Sequence, residues 1–352
     1  MHGRFFKVIL AGVLLLSVAA ACGPEVERPV LNNASAYVDP ILRIGGSLPG
    51  NYLAGRQALK RNDFYQASKF LDTALQTSPN NTFLINRTFS SKLAMGDVEG
   101  AYRLVTSLER SDIRNPIIKI LIIVEAIKRN RLKDAQETVE SIPEEGLNRF
   151  LKPLLKSWVL MGLGDGDSAI DALKTLKRHP ELRSLYEVQV AFLLDALGKI
   201  DVAEKHYRLA AKLSRQPSLR IIQALGRYFD RTGKIEKAKI LYIKYLKDNP
   251  NSVVFQRALS RLKTEEKPPL LVANAKEGAA EALFSIASMI ARGRSNRLAL
   301  IYGHLATYLR SDLDVGYMLT ARLLEAMARY DDAITTYRKV AEESPFNRDA
   351  RL

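Results

Sequence analysis

Small and apolar residues return along this chain in blocks of 34. One small residue marks the same point of each block, at Asn62, Gly96, Asn130, Gly164, Gly198 and Gly233, with intervals of 34, 34, 34, 34 and 35. Five residues after each marker stands an alanine: Ala67, Ala101, Ala135, Ala169, Ala203 and Ala238. The pattern predicts, for every block, two amphipathic helices joined by a tight turn at the marker. A loop that often ends in proline, as at Pro79 and Pro250, closes the block. Glycine and asparagine suit the turn because the residue after a helix commonly adopts the left-handed conformation, which other side chains resist. Asp63, Asp97 and Asp165 follow their markers directly and are placed to cap the next helix. The alanine keeps the second helix close to the first, since a larger side chain would push them apart.

The sixth block is the best formed. Leu225, Gly226 and Phe229 line its first helix, Gly233 makes the turn, Ala238 and Tyr242 pack the second, and Pro250 ends it. The fifth carries Ala191, Ala203, Tyr207 and Ala210, and the first carries Gly55, Ala67, Ala74 and Pro79. These residues and this period resemble the tetratricopeptide repeat family. The resemblance implies an all-α fold, a right-handed α-solenoid of antiparallel helix pairs, and a role in binding rather than catalysis. Six repeats are expected over residues 49–253, then a closing helix and a proline-containing break, Pro268-Pro269, over 254–274. The spacing resumes between Ala287 and Ala321 and between Ala299 and Ala333, with Asp331, Asp332, Tyr337 and Pro345 completing the pattern, so two further repeats are expected over 275–347. Residues 348–352 then read as the start of a truncated continuation, or as a fold-back from Pro345 onward.

The N-terminus carries a different pattern. Arg4 and Lys7 precede an apolar run from Val8 to Val18, too short to span a bilayer, and residues 1–21 read as a signal peptide. Ala19-Ala20-Ala21 leads into Cys22, the only cysteine of the chain. This stretch resembles a bacterial lipoprotein signal, apart from Ala19 where a larger aliphatic residue is usual. The resemblance implies acylation of Cys22, and Gly23 after it implies sorting to the outer membrane. Ordinary cleavage after the alanines, releasing a soluble periplasmic protein, is the competing reading. Residues 22–48, rich in Pro, Gly and Asn, read as a flexible tether.

Composition adds charge. The chain of 352 residues carries 53 Lys and Arg against 38 Asp and Glu, a formal net charge of +15. Such a surface favours anionic partners or simply keeps helical faces solvated. Basic clusters at Lys128-Arg129-Arg131-Lys133 and Lys174-Lys177-Arg178 lack the interleaved aromatics of a nucleic-acid platform, so nucleic acid is not an expected partner. Anionic envelope lipid or polysaccharide remains open. No catalytic or metal-binding motif occurs, and the four histidines lie apart in sequence. Gly162-Leu163-Gly164-Asp165-Gly166 resembles a phosphate loop only superficially, because Gly164 is a repeat turn with no strand before it. Neither an enzyme nor a cofactor site is expected.

By resemblance to the repeat family, partner peptides bind on a concave surface lined by the first helix of each repeat. On this chain that surface comprises Tyr52, Arg56 and Leu59 in the first unit and Asn86 and Ser90 in the second. Ile120, Val124, Leu154, Trp158, Val188 and Phe192 follow in units three to five, then Gln223, Arg227 and Asp230 in the sixth. Such a groove, apolar in the middle and polar at both ends, would suit an amphipathic helix or an extended peptide, with Trp158 as its anchor. The expectation is a scaffold of the bacterial envelope that binds a protein partner in an outer-membrane assembly, secretion or export complex. The alternatives are a repeat region serving a catalytic domain beyond residue 352, and a module for glycan or anionic lipid.

Overall fold

A computed structural model describes residues 46–352 apart from 107, 109–114, 215–217, 265 and 294. The signal peptide, Cys22 and nearly all of the tether lie outside the described residues. The described chain is an all-α solenoid whose helices pack in successive antiparallel pairs. The pairs are α1 (Leu48–Lys60) with α2 (Phe64–Thr77), α3 (Thr82–Met95) with α4 (Val98–Val105), and α5 (Pro116–Lys128) with α6 (Leu132–Glu140). Next come α7 (Asn148–Gly162) with α8 (Gly166–Leu173), α9 (Arg183–Ala196) with α10 (Ile200–Leu213), and α11 (Leu219–Arg231) with α12 (Ile235–Asp248). A shorter α13 (Val253–Arg261) follows, then α14 (Ala275–Arg292), α15 (Asn296–Leu309), α16 (Asp314–Ala326), α17 (Tyr330–Tyr337) and α18 (Asn347–Arg351).

All six marker residues have positive φ, between 56° at Asn130 and 88° at Gly164. At each turn the next residue donates its N–H five positions back: Asp97 to the Lys92 carbonyl at 2.9 Å, Asp165 to Leu160 at 3.0 Å, Lys234 to Phe229 at 2.8 Å. This closure satisfies the otherwise orphaned carbonyls of the first helix. The carbonyl of that same residue then accepts the N–H of the repeat alanine, as from Ala101 to Asp97 at 3.0 Å, which starts the second helix. A seventh turn of the same kind sits at Ala328, φ 58°, with Arg329 donating to the Leu324 carbonyl at 2.8 Å and Ala333 following. Its marker is an alanine, so no glycine or asparagine betrays it.

Asp63, Asp97 and Asp165 cap their helices by accepting from the N–H of Gln66, Gly100 and Ser168. In the fifth and sixth repeats the cap position holds lysine, and the side chain reaches back to the preceding repeat instead. Lys199 meets Asp167 at 3.2 Å, and Lys234 pairs with Glu204. The six repeat alanines are fully buried. Within the sixth pair, a glycine makes room for a bulky partner: a Cβ on Gly226 would lie 2.1 Å from the ring of Tyr242.

Helices α14 and α15 do not simply extend the array. Helix α14 lies across α5, α7 and α9, and α15 lies across α3, α4 and α5. They therefore cover the face made by the first helices of the second to fifth pairs. Their sequence suits that place. Ala275, Gly278, Ala279 and Ala282 fall at helical spacing and let α14 settle closely. Ala275 meets the site of a missing Cβ at Gly162, and Gly278 lies flat on the indole of Trp158. Helix α14 is buried on all sides over residues 278–283 and α15 over residues 299–303, as interior helices are. The start of α15 and the turn between α16 and α17 both return to the first pair. Arg297 donates to the Leu59 carbonyl at 2.8 Å, and Arg329 stands 3.6 Å from Asp63.

Candidate binding clefts at the two ends of the inner face

The expected groove residues fall into two classes. Ile120, Val124, Leu154, Trp158, Val188 and Phe192 do share one face of the solenoid, but α14 and α15 occupy it, and the exposure of these six runs from zero to 7%. The expectation of an open apolar groove anchored by Trp158 is corrected here. The physical reason is that so much contiguous apolar surface is stabilised by burial, and the chain supplies its own cover. Full burial of a side chain as large as Trp158 contributes on the order of 2–3 kcal/mol. Its indole N–H donates to Gln189 Oε1 at 2.9 Å, so the polar tip is satisfied as well.

Charge inside this contact is paired. Glu125 is 1% exposed on apolar α5, accepts from Arg129 Nε at 3.0 Å, and receives the Tyr308 hydroxyl of α15. Lys128 sits 3.3 Å over the Tyr308 ring. Burial, and then the Glu125 carboxylate, push the Tyr308 hydroxyl well above its ordinary pKa.

Tyr52, Arg56 and Asn86, with Gln223 and Arg227 at the other end, stay at least partly accessible. At the N-terminal end, Phe83, Asn86, Arg87 and Ser90 of α3 face Arg297 and Met327 across a cleft of about 780 Å³. Phe83 is 50% exposed, its ring 5.7 Å from that of Tyr52, with the Arg87 guanidinium 5.2 Å from its centre. Arg297 spans the floor toward Leu59 and Asn62; burial, and then Arg87 nearby, lower its pKa.

At the sixth repeat, Gln223 and Arg227 line a cleft of about 770 Å³ with Arg220, Arg257, Arg261 and Arg310. Sequence reasoning missed the last four: Arg220 shares α11 with Gln223 and Arg227 but falls outside the expected groove positions, while Arg257 and Arg261 come from α13 and Arg310 from the end of α15. Arg220 is bound to Glu281 and Gln223. Burial, then Arg310 and Arg227, pull its pKa down to about 9. Arg261 holds Asp230 through two hydrogen bonds, so Asp230 is buried in an ion pair and not presented to a partner. Beside this cleft, and sharing the walls Arg220, Val254, Val315 and Phe346, lies an apolar chamber of about 550 Å³. Val188 and Phe192 reach its edge.

Among the described residues no group of three or more His, Cys, Asp or Glu side chains is placed to hold a metal ion, and no helix is long and apolar enough to cross a membrane.

Residues 316–347 match a family model described as tetratricopeptide repeat. No curated protein matches the sequence at a significant level. Among solved structures, the chain is similar to one titled as Naa15/Naa10 bound to HypK-THB, at 17% identity and a TM-score of 0.38. That alignment covers 86% of this chain and 54% of the other, so this chain spans about half of that protein's length. The C-terminal part of a TPR repeat-containing protein from Cytophaga hutchinsonii aligns at 15% identity, covering 75% of this chain and 97% of that one, with a TM-score of 0.38. A tetratricopeptide repeat protein from Parabacteroides merdae aligns at 12% identity over 86% and 96%, with a TM-score of 0.32. The solenoid assignment stands on this chain's own helix pairs and turns.

Proposed function

We propose that this chain is a non-catalytic, protein-binding repeat scaffold of the bacterial envelope, held by an acyl anchor on Cys22 at the periplasmic face of the outer membrane. Its protein partner sits at the N-terminal end of the inner face. The observation that carries this reading is the uncovered cleft at Phe83, Asn86 and Arg87, where an exposed aromatic ring stands among arginines beside a filled groove. Exposed aromatic and arginine side chains around a concavity are the composition of interface anchors. The signal-like N-terminus and the lone Cys22 support export and anchoring.

The test is site-specific photocrosslinking in the native envelope. A photoreactive residue in place of Phe83 should yield a discrete protein adduct, while one in place of Phe89, fully buried on the same helix, should yield none. Equal adducts at both positions, or none at Phe83, would overturn the partner surface. Cys22→Ala should abolish incorporation of labelled palmitate and release the protein from membranes; a parent chain that takes up no palmitate would remove the anchor.

A further inference from the structure

The two chambers at the sixth repeat differ in chemistry and share a wall. The more apolar one is lined by Leu185, Phe192, Phe284, Met289, Met318 and Leu319, with Glu181, Arg292, Arg322 and Asp349 also in its wall. Met289 and Met318 give it an adaptable surface suited to a chain without fixed shape. Two hydroxyls of this chamber are engaged internally, Ser184 on the Ala210 carbonyl and Ser218 on the N–H of Ile221, while that of Ser252 is buried without a partner. The polar chamber is lined by arginines and also by Glu277, Asp312, Asp314 and Glu343. Its cations are unequally satisfied. Arg220, Arg261 and Arg310 hold Glu281, Asp230 and Asp312. Arg227 and Arg257 make no ion pair with a described carboxylate. The Arg227 Nε donates to the Pro269 carbonyl at 2.9 Å, and Arg257 donates to the Glu343 carbonyl at 2.7 Å.

A half-buried guanidinium without a counter-charge is costly, and an anion supplied from outside would relieve it. Guanidinium pairs with phosphate or carboxylate through parallel hydrogen bonds, and it keeps its charge even when burial lowers its pKa. Burial, then Arg261 and Arg310, lower that of Arg227. A peptide would have to satisfy a donor and an acceptor for every residue it laid in the apolar chamber, whereas an alkyl chain carries none. Both chambers fall within the size range of small-molecule pockets, roughly 300–1,000 Å³.

We propose that this divided cleft binds an anionic acyl lipid, with the alkyl chain against Phe284 and Met318 and the phosphate or carboxylate head against Arg227. The Arg220–Glu281 bridge stands at the boundary and marks where tail gives way to head. The site is separate from the Phe83 cleft and does not depend on the protein partner proposed there.

Calorimetric titration of the mature chain with dodecyl phosphate, below its micellar concentration, tests this. One molecule should bind per chain. Dodecyl maltoside, with the same tail and a neutral head, should bind at least tenfold more weakly, and inorganic phosphate, with no tail, at least tenfold more weakly again than dodecyl phosphate. Arg227→Gln should weaken dodecyl phosphate at least fivefold and leave dodecyl maltoside unchanged. Met318→Gln should weaken both alkyl ligands, and circular dichroism melting identifies any variant that fails to fold. If Met318→Gln proves unstable, Leu319→Asn serves the same purpose. Equal affinity for the neutral and the anionic head, binding untouched by Arg227→Gln, or binding of inorganic phosphate as tight as of dodecyl phosphate would overturn the proposal. So would displacement of dodecyl phosphate by an acidic, apolar hexapeptide at lower concentration, which would mark a peptide site.

Discussion

The middle and the ends of the inner face are built from equivalent positions of equivalent repeats, yet they serve opposite purposes. In the middle, Ile120, Val124, Leu154 and Trp158 are apolar and carry the weight of α14 and α15. At the ends, Asn86 and Ser90 on one side and Gln223 and Arg227 on the other stay uncovered and line clefts. The difference teaches that position in a repeat gives a side chain its direction but not its neighbour. A first-helix residue points inward in every unit. What it meets there is decided by a hairpin more than a hundred residues away in sequence.

The largest expected effect separates the two regions directly. Trp158→Ala opens a cavity beneath Gly278 and should destabilise the chain by about 3–5 kcal/mol in urea unfolding, whereas Phe83→Ala should stay within about 0.5 kcal/mol. Since Trp158 is the only tryptophan, acrylamide quenching reports on it alone. Its emission should resist the quencher in the native chain. Ready quenching would mean that α14 leaves this face in solution.

A smaller effect compares the same turn beneath the cover and away from it. Gly198, φ 72°, has open space where a Cβ would stand, so Gly198→Ala should cost only the left-handed strain, about 1–2 kcal/mol. At Gly96, φ 87°, a Cβ would lie 2.5 Å from the His304 imidazole of α15. Gly96→Ala should therefore cost about 1–3 kcal/mol more than its counterpart. Equal losses would show that α15 does not press on this turn.

The finest distinction lies in pH. Burial, and then Lys339, hold His304 at a pKa of about 3, below its usual 6.5, so it is neutral in the folded chain. The unfolded chain binds an extra proton below pH 6.5, and stability falls as pH drops from 6.5 toward 3, by at most about 1.4 kcal/mol per pH unit. His304→Asn should flatten that slope relative to the parent, measured as the urea midpoint against pH. An unchanged slope would assign the acid sensitivity elsewhere.

The helix pairs were legible because their signals are local. A glycine or asparagine at a left-handed turn, an aspartate after it and an alanine five residues on all act within one turn of chain. The turn at Ala328 was marked only indirectly: nothing in an alanine announces positive φ, and the repeat shows through Ala333, Tyr337 and Pro345 after it. The covered groove depends on pairing across the chain, yet two traces of it stand in the sequence. From Ile117 to Val124 helix α5 is apolar on nearly every side, which a helix with one open face does not require. The stripe Ala275, Gly278, Ala279 and Ala282 is the matching half. The arginine-lined cleft left no trace of that kind, since Arg227, Arg261 and Arg310 belong to three segments that share no period.

The contacts of Arg297 with Leu59 and of Arg329 with Asp63 join segments more than two hundred residues apart. An open repeat array relaxes one unit at a time, and its end units come loose first because each touches only one neighbour. Here the first unit also leans on the last ones, and the second to fifth share a common spine in α14 and α15. Fraying from either end must then break long-range contacts, so loss of structure approaches a single concerted event. The same wiring makes the chain slow to assemble: these pairings have high contact order, and the spine can dock only after the repeats it bridges have been made. A molecule written as a list of modules thereby gains the kinetics of a globular domain.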